Sequence, residues 1–452
     1  MMEKDISAPG FIHGLRAASV PADVLQMARR CFVDTLAVWA AGMQTEASRI
    51  ARNHAAKRYP GTLPLPFDGR RVNPVGLAFS GAASIDALDA HDGHQVCKGH
   101  ASVALVPALM AELGTGSCTL EEFLCHLIVG EEIALRAALS LHATAPDYHS
   151  SGAWNALGCA AIACRLRGLT REQTGEALGI AEYYGPRAPM MRCIDHPAMV
   201  KDSSSWGALT GISAADLAED GFTGAPALTV EAPEVADIWS DLGSRWRILE
   251  NNFKAFPVCR WAHPPIEAAL SLVRAREIPL DEIAGITVST FHEATRLTAN
   301  RPADSDTAQY SLPLAVALAL RFGTILPEHL SPDLYDSPDI WRLADLVSFE
   351  ECEAFNEAFP AERYAKVTLE LKNGGQFTSE TKAARGNHDA PLTDQELIEK
   401  LELYTSPVCS PETRASLASI LTDPANAPSP EEIVVLLQTS QSGGTNLIGP
   451  SL

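Results

Sequence analysis

Two helix-start signatures, set among runs of small and apolar residues, constrain this chain more than any other feature. Thr119-Leu-Glu-Glu122 and Thr170-Arg-Glu-Gln173 each place a hydroxyl three residues ahead of a Glu or Gln. That pairing satisfies the orphan amides of a first helical turn. Helices are accordingly predicted over 119–140 and 170–180. Over 21–43, Val24, Leu25, Met27, Ala28, Cys31, Phe32, Leu36 and Trp39 recur at helical spacing. The same reading gives helices over 45–58, 75–88, 101–113, 150–166 and 206–220, the last stopped by Gly221. Residues 60–73 read as loop or short strand. The first 220 residues or so are therefore a helical bundle with short connections, not a βαβ wind.

The pattern changes after about Arg260. A helix over 262–276 is followed by alternation over 282–291, where Ile283, Ile286, Val288 and Thr290 mark a strand. A helix is predicted over 306–322. Residues 364–371 alternate again, and Lys372-Asn373-Gly374-Gly375 reads as a hairpin turn before 376–383. Helices return over 393–404, 411–421 and 430–437, and the 439–452 tail carries no core signal. The chain is thus expected to be mainly α. Residues 1–259 form a large all-helical domain, 260–390 a smaller inserted α+β lid domain, and 391–452 a return to the helical domain.

Charge narrows the partners. The formal net charge of −21 argues against nucleic acid and against anionic membranes. No apolar run reaches the roughly 18 residues of a membrane span. The start, Met1-Met2-Glu3-Lys4-Asp5, lacks the basic and apolar regions of a signal peptide. Ten cysteines are scattered without a C-x-x-C pair, which fits a reduced, cytoplasmic setting. There is no G-x-G-x-x-G after a strand, no Walker loop and no G-x-S-x-G elbow, so nucleotide cofactors and a serine nucleophile have no support.

Titratable groups are densest over 84–100, a polar stretch between two apolar helices. It holds Asp86, Asp89, His91, Asp92, His94, Lys98 and His100. Buried polar groups must be hydrogen-bonded or put to use. A capped loop would explain some of them. Two chemistries would explain the density. His91, Asp92, His94 and His100 are ordinary ligand types for a divalent metal, as in a metal-dependent hydrolase. The same groups could instead move protons on a carbon acid, with cations on its carboxylates. Candidate cations and imidazoles elsewhere are His149, Arg192, Lys201 ahead of a helix, and Arg260 and His263 at the junction of the two patterns.

With these stretches in place, the chain resembles the MmgE/PrpD family, whose members include 2-methylcitrate dehydratase, cis-aconitate decarboxylase and iminodisuccinate epimerase. Asp89-Ala-His-Asp92-Gly93 and His100-Ala101, followed by Leu105-Val-Pro-Ala108, take the places of the family's acidic stretch, His-Pro and Pro-Ala helix. Lys201 matches the family lysine, and His263 the histidine after Lys254-Ala-Phe-Pro257. Asn155-Ala-Leu-Gly158 and Ala308-Gln-Tyr-Ser-Leu-Pro313 match further stretches in order. The departures are His91 for the second aspartate, Gly93 for a hydroxyl residue, Ala101 for proline, and Ser203-Ser204 for Phe-His.

The resemblance implies a cofactor-free lyase or isomerase, acting next to a carboxylate of a small di- or tricarboxylic acid. It implies no metal, a homodimer, and a cleft that substrate closes between the domains. Asp89, His100, Lys201 and His263 are then the catalytic candidates. His91, His94, Lys98, His149, Arg192 and Arg260 are the substrate-binding ones. A family member that binds polycarboxylates without turning them over is the remaining alternative.

Overall fold

The computed structural model describes residues 7–114 and 116–439. The expectations on the first five residues and, but for Thr439, on the tail lie outside them. The fold is mainly helical, with a smaller region built around a mixed sheet. Both capping boxes are present, on helices Leu120–Thr144 and Arg171–Tyr184. In each, the Thr hydroxyl accepts the third backbone N–H while the Glu or Gln accepts from the cap.

Gly152–Arg167 is the central helix of the bundle, packed against Leu120–Thr144 on one side and Ser204–Glu219 on another. Its small residues permit this. A Cβ on Gly158 would lie 2.6 Å from the Gly130 carbonyl oxygen, so only glycine lets the two backbones approach so closely. Around the contact Leu105, Ile133, Ala134 and Ile162 are fully buried. Aliphatic burial of this kind stabilises by about 1.5–3 kcal/mol per large side chain.

The sheet runs Val347–Glu351, Ile283–Thr290, Tyr364–Leu371, Gln376–Thr378, with Lys382–Ala383 also paired to Tyr364–Leu371. The edge strand Val347–Glu351 is parallel to its neighbour and the other pairings are antiparallel. The edge strand is only five residues long and none of them is fully buried, too short and weak a pattern for the sequence to reveal. The Ile283–Thr290 and Tyr364–Leu371 strands lie close to the predicted spans. The chain then returns to the bundle as Asp394–Thr405, which packs on Ala22–Gly42.

The helix predicted over 306–322 is broken. Ser305–Ala308 is one short helix and Leu312–Phe322 another, with extended Ser311 as the cap between them. Pro313 is the cause: its ring would clash with the Gln309 carbonyl in a continuous helix, and it lacks an N–H. The break frees Gln309. Its carbonyl accepts from the Cys259 N–H at 3.0 Å, and its side chain bridges the Ala87 carbonyl (3.0 Å) and the Asp89 N–H (2.7 Å).

Candidate active site

The polar stretch lies between Pro74–Asp86 and Ser102–Leu113, held down from several directions. Gly93–His94 pairs antiparallel with Asn251–Asn252, and Gln309 clamps Asp89. These loops enclose a cleft of about 560 Å³, its mouth included. Arg363, just ahead of strand Tyr364–Leu371, completes the wall on the sheet side.

Asp89 and Lys254 form an ion pair at the base of the cleft, with Lys254 Nζ also donating to the Asp89 carbonyl at 3.2 Å. Burial alone would raise the Asp89 carboxyl. The Lys254 ammonium, helped by His100 and His91, outweighs that and holds it well below the usual range. His100 Nε2 stands 3.8 Å from Asp89 Oδ1. Its Nδ1–H donates to the Asp92 carbonyl at 2.6 Å, since a carbonyl can only accept. That fixes the tautomer and leaves Nε2 as an acceptor facing the cleft. Burial, then the Lys254 charge, pushes the imidazole well below its ordinary pKa, so it is a neutral base.

Three further cations line the cleft. Arg260 donates only to neutral acceptors, the Phe253 carbonyl at 3.2 Å and Asn387 Oδ1 at 2.6 Å. Arg363 donates to the Gln95 carbonyl at 3.1 Å, and its Nε has no partner. Lys98 lies over the Tyr148 ring, 5.2 Å from its centroid. Among the described residues none of these three cations makes an ion pair with a carboxylate. Burial and then the charge of Arg363 lower Lys98 and bring Arg260 down to about 9. Buried cations without counter-ions are costly unless an anion completes them.

Acids gather on the His100 side. Asp86 and Asp202 line the cleft, and burial raises each to about 7, with Asp202 pressed further by Asp86. Beneath the loop, the Ser102 hydroxyl lies 2.8 Å from Asp92 Oδ2 and 2.6 Å from Glu131 Oε1. A hydroxyl has one proton, so one of these two carboxyls must itself be protonated. Burial raises Asp92, and brings Glu131 and Glu132 to about 7. These carboxyls bind more protons in the folded chain than in the unfolded one between the ordinary carboxylate range and about 7, so the stability they contribute is lost as pH rises through that window. The buried imidazoles of His91, His94, His100 and His263, held neutral, act in the opposite sense below their ordinary pKa of 6.5. Glu132→Gln removes one such carboxyl, so its thermal midpoint should gain on the wild type's from about pH 5.5 to about pH 8, checked by calorimetry across pH.

The four residues of the metal-hydrolase alternative do not converge. His91 Nε2 faces Asp86 Oδ1 at 3.5 Å, His94 Nε2 faces Glu250 Oε2 at 3.4 Å, and the Asp92 carboxyl points to Ser102. Among the described residues the one ligand-like grouping is Cys31, Asp92 and Glu131. Its centre holds the Asn251 amide, whose Nδ2 lies 3.3–3.5 Å from all three.

Of the other candidates, His94, Lys98, His100, Asp89 and Arg260 line the cleft. Lys201 lies beside it, its ammonium 3.2 Å from Asp306 Oδ1 and 5.2 Å from the Tyr310 ring centroid. His91 is buried edge-on to His100, with ring centroids 4.5 Å apart. His263 does not line the cleft. Its Nε2–H donates to the Val258 carbonyl at 3.2 Å, and its Nδ1 faces Arg260 Nη1 at 3.4 Å, so it supports Arg260. His149 and Arg192 are not gathered into the site. His149 bonds its own loop through Asp147, and Arg192 is exposed; on the same two segments it is Tyr148 and Ile194 that line the cleft. Lys254, Arg363 and Asp202 line the cleft without a sequence signal of their own, although Lys254 lies in the run that locates His263, and Asp86 lines it from the titratable stretch without having been singled out there.

Comparison with known proteins adds two family models and a set of relatives. Residues 9–241 match the MmgE/PrpD N-terminal domain and residues 256–423 the MmgE/PrpD C-terminal domain. The chain is 27% identical to human cis-aconitate decarboxylase over 494 residues, covering 99% of this chain and 100% of that protein. It is 25% identical to a cis-aconitate decarboxylase-like protein of Aspergillus oryzae, covering 89% and 90%. An Aspergillus terreus cis-aconitate decarboxylase is 22% identical, covering 85% and 86%.

Proposed function

The chain belongs to the MmgE/PrpD family, and we propose that it is a lyase or isomerase that moves a proton next to a carboxylate of a small di- or tricarboxylic acid. The observation that carries the reading is the trio Lys98, Arg260 and Arg363, cations without carboxylate partners among the described residues, lining the same cleft as Asp89, His100 and Lys254. Substrate carboxylates seat on that trio. His100 Nε2 faces the reacting carbon, oriented by the Asp92 carbonyl and neutral because it is buried beside Lys254. Lys254 lies where negative charge builds on the adjacent carboxylate, and Asp89 holds it there. Lys201 and Tyr310 flank the cleft on the helical side. The relatives' names make decarboxylation the first outcome to test, ahead of dehydration and epimerisation. Assembly as a homodimer belongs to the same reading, supported by exposed Tyr183, Tyr184, Val200 and Trp206.

The test is an exchange screen in heavy water with aconitate-like, citrate-like and iminodisuccinate-like acids, read by NMR. Deuterium uptake at carbon is expected even where net turnover is small. Binding without exchange or product would favour a non-catalytic polycarboxylate binder. His100→Ala should lower kcat/KM by at least about 100-fold with the circular dichroism spectrum unchanged.

A further inference from the structure

We propose that Asp202 is the general acid of the cleft, entering the reaction protonated and delivering its proton to the reacting carbon. The inference rests on the polycarboxylate reading and names its proton donor. The backbone on both sides of Asp202 is unusual: Lys201 has φ 45° and Ser203 φ 56°, left-handed values in residues that carry a Cβ. Such conformations persist where the surrounding structure enforces them, and they cluster at working sites. Here, after the exposed 198–200 stretch, they turn Asp202 inward to a side chain that is buried and lines the cleft. The site loop leaves room for it. A Cβ on Gly99 would lie 2.3 Å from Ser151 Oγ and 3.5 Å from Asp202 Oδ2.

Hydrogen bonding determines which oxygen is free. Ser151 Oγ accepts the His100 backbone N–H at 2.8 Å, so its own proton goes to Asp202 Oδ2. Asp202 Oδ1 is buried and has no partner among the described residues. Three cleft carboxyls compete for cations. Asp89 has Lys254, and Asp86 feels Lys201 and accepts from the Ser204 N–H at 3.4 Å. Asp202 has only Ser151, through its hydroxyl and its backbone N–H. The groups facing it are Asp86 from the Pro74–Asp86 helix, Asp89 from the loop, Ser151 and Tyr148 from the approach to the central helix, and Cys193 from Met191–Asp195. None is a cation, and two are acids. Burial, then Asp86, brings Asp202 up to about 7, and a bound polyanion raises its proton affinity further.

In a decarboxylation the bond from carbon to the departing carboxylate breaks and carbon dioxide leaves. The electron pair remains on carbon and forms a C–H bond with the Asp202 proton. Asp202 is left as carboxylate and regains a proton from water, so each turnover consumes one proton.

Asp202→Asn keeps an oxygen to accept from Ser151 and removes the acid. It is expected to lower kcat at least about 100-fold while KM stays about the same, since Asn is as neutral as the protonated acid it replaces. The wild-type rate should fall as pH rises through the neutral range, because the acid must be protonated. That limb should vanish in Asp202→Asn and move to higher pH in Ser151→Ala, where the carboxylate loses its donor. Infrared difference spectra of ligand-free wild type against Asp202→Asn at slightly acid pH should show a protonated-carboxyl band. Absence of that band, or an Asp202→Asn kcat near wild type with its high-pH limb intact, overturns the proposal. A wild type that binds no polycarboxylate overturns the substrate reading instead, and the infrared band still decides the state of Asp202.

Discussion

Lys254→Met is expected to reduce kcat/KM by at least about 1,000-fold, a larger loss than any single acid or base should give, because two functions go together. On the proposed reading the ammonium is the cation nearest the charge that builds up in the reaction. It also keeps Asp89 ionised in a buried position where desolvation pulls the other way. Without it Asp89 must either take up a proton or sit as an unpaired buried carboxylate. Leaving one partner of a buried pair alone costs about 3–5 kcal/mol. Asp89→Asn/Lys254→Met removes both charges and should recover most of the thermal stability without recovering activity. If the double variant regained turnover, Lys254 would be a structural counter-ion and no more. The measurements are a thermal midpoint and steady-state kinetics on whichever acid the exchange screen selects.

Periodicity and capping make the helical part legible because those signals are local. Thr119 and Thr170 open the helices their sequences promise. The titratable density of residues 84–100 marks the site for the same reason: a short span cannot bury that many polar groups without a use. What the sequence hides is long-range. Lys254 reaches Asp89 across 165 positions, brought there by the pairing of Gly93–His94 with Asn251–Asn252. Arg363 reaches Gln95 across 268 positions. No spacing rule foresees either. The orientation of a buried polar side chain is equally invisible, which is why Lys201 is found against Asp306 and His263 against Val258 and Arg260. His149 and Arg192 look similar to the site residues in sequence, but on their segments Tyr148 and Ile194 take the cleft-facing positions.

Lys400→Met is expected to lower stability by about 3–5 kcal/mol, the cost of leaving its partner charge buried alone. Lys400 lies on the returning Asp394–Thr405 helix and is 7% exposed, and its partner Asp34 is 1% exposed. Its ammonium donates to Asp34 Oδ1 at 2.6 Å, to the Ala90 carbonyl at 2.6 Å and to the Lys254 carbonyl at 3.1 Å. The last two acceptors belong to the backbone beside Asp89 and to Lys254 itself. One buried side chain thus ties the C-terminal return to both halves of the ion pair at the base of the cleft. Asp34→Leu/Lys400→Met separates its two functions. Removing both charges should restore most of the stability, since a buried pair is often replaceable by apolar side chains. It cannot restore the two lost donors to Ala90 and Lys254. A displacement of about 1 Å at a reacting group can cost about 100-fold in rate, so kcat should stay low in the double variant even as its thermal midpoint returns. Recovery of both together would make Lys400 a packing residue and leave the Asp89–Lys254 geometry to the loop pairing alone.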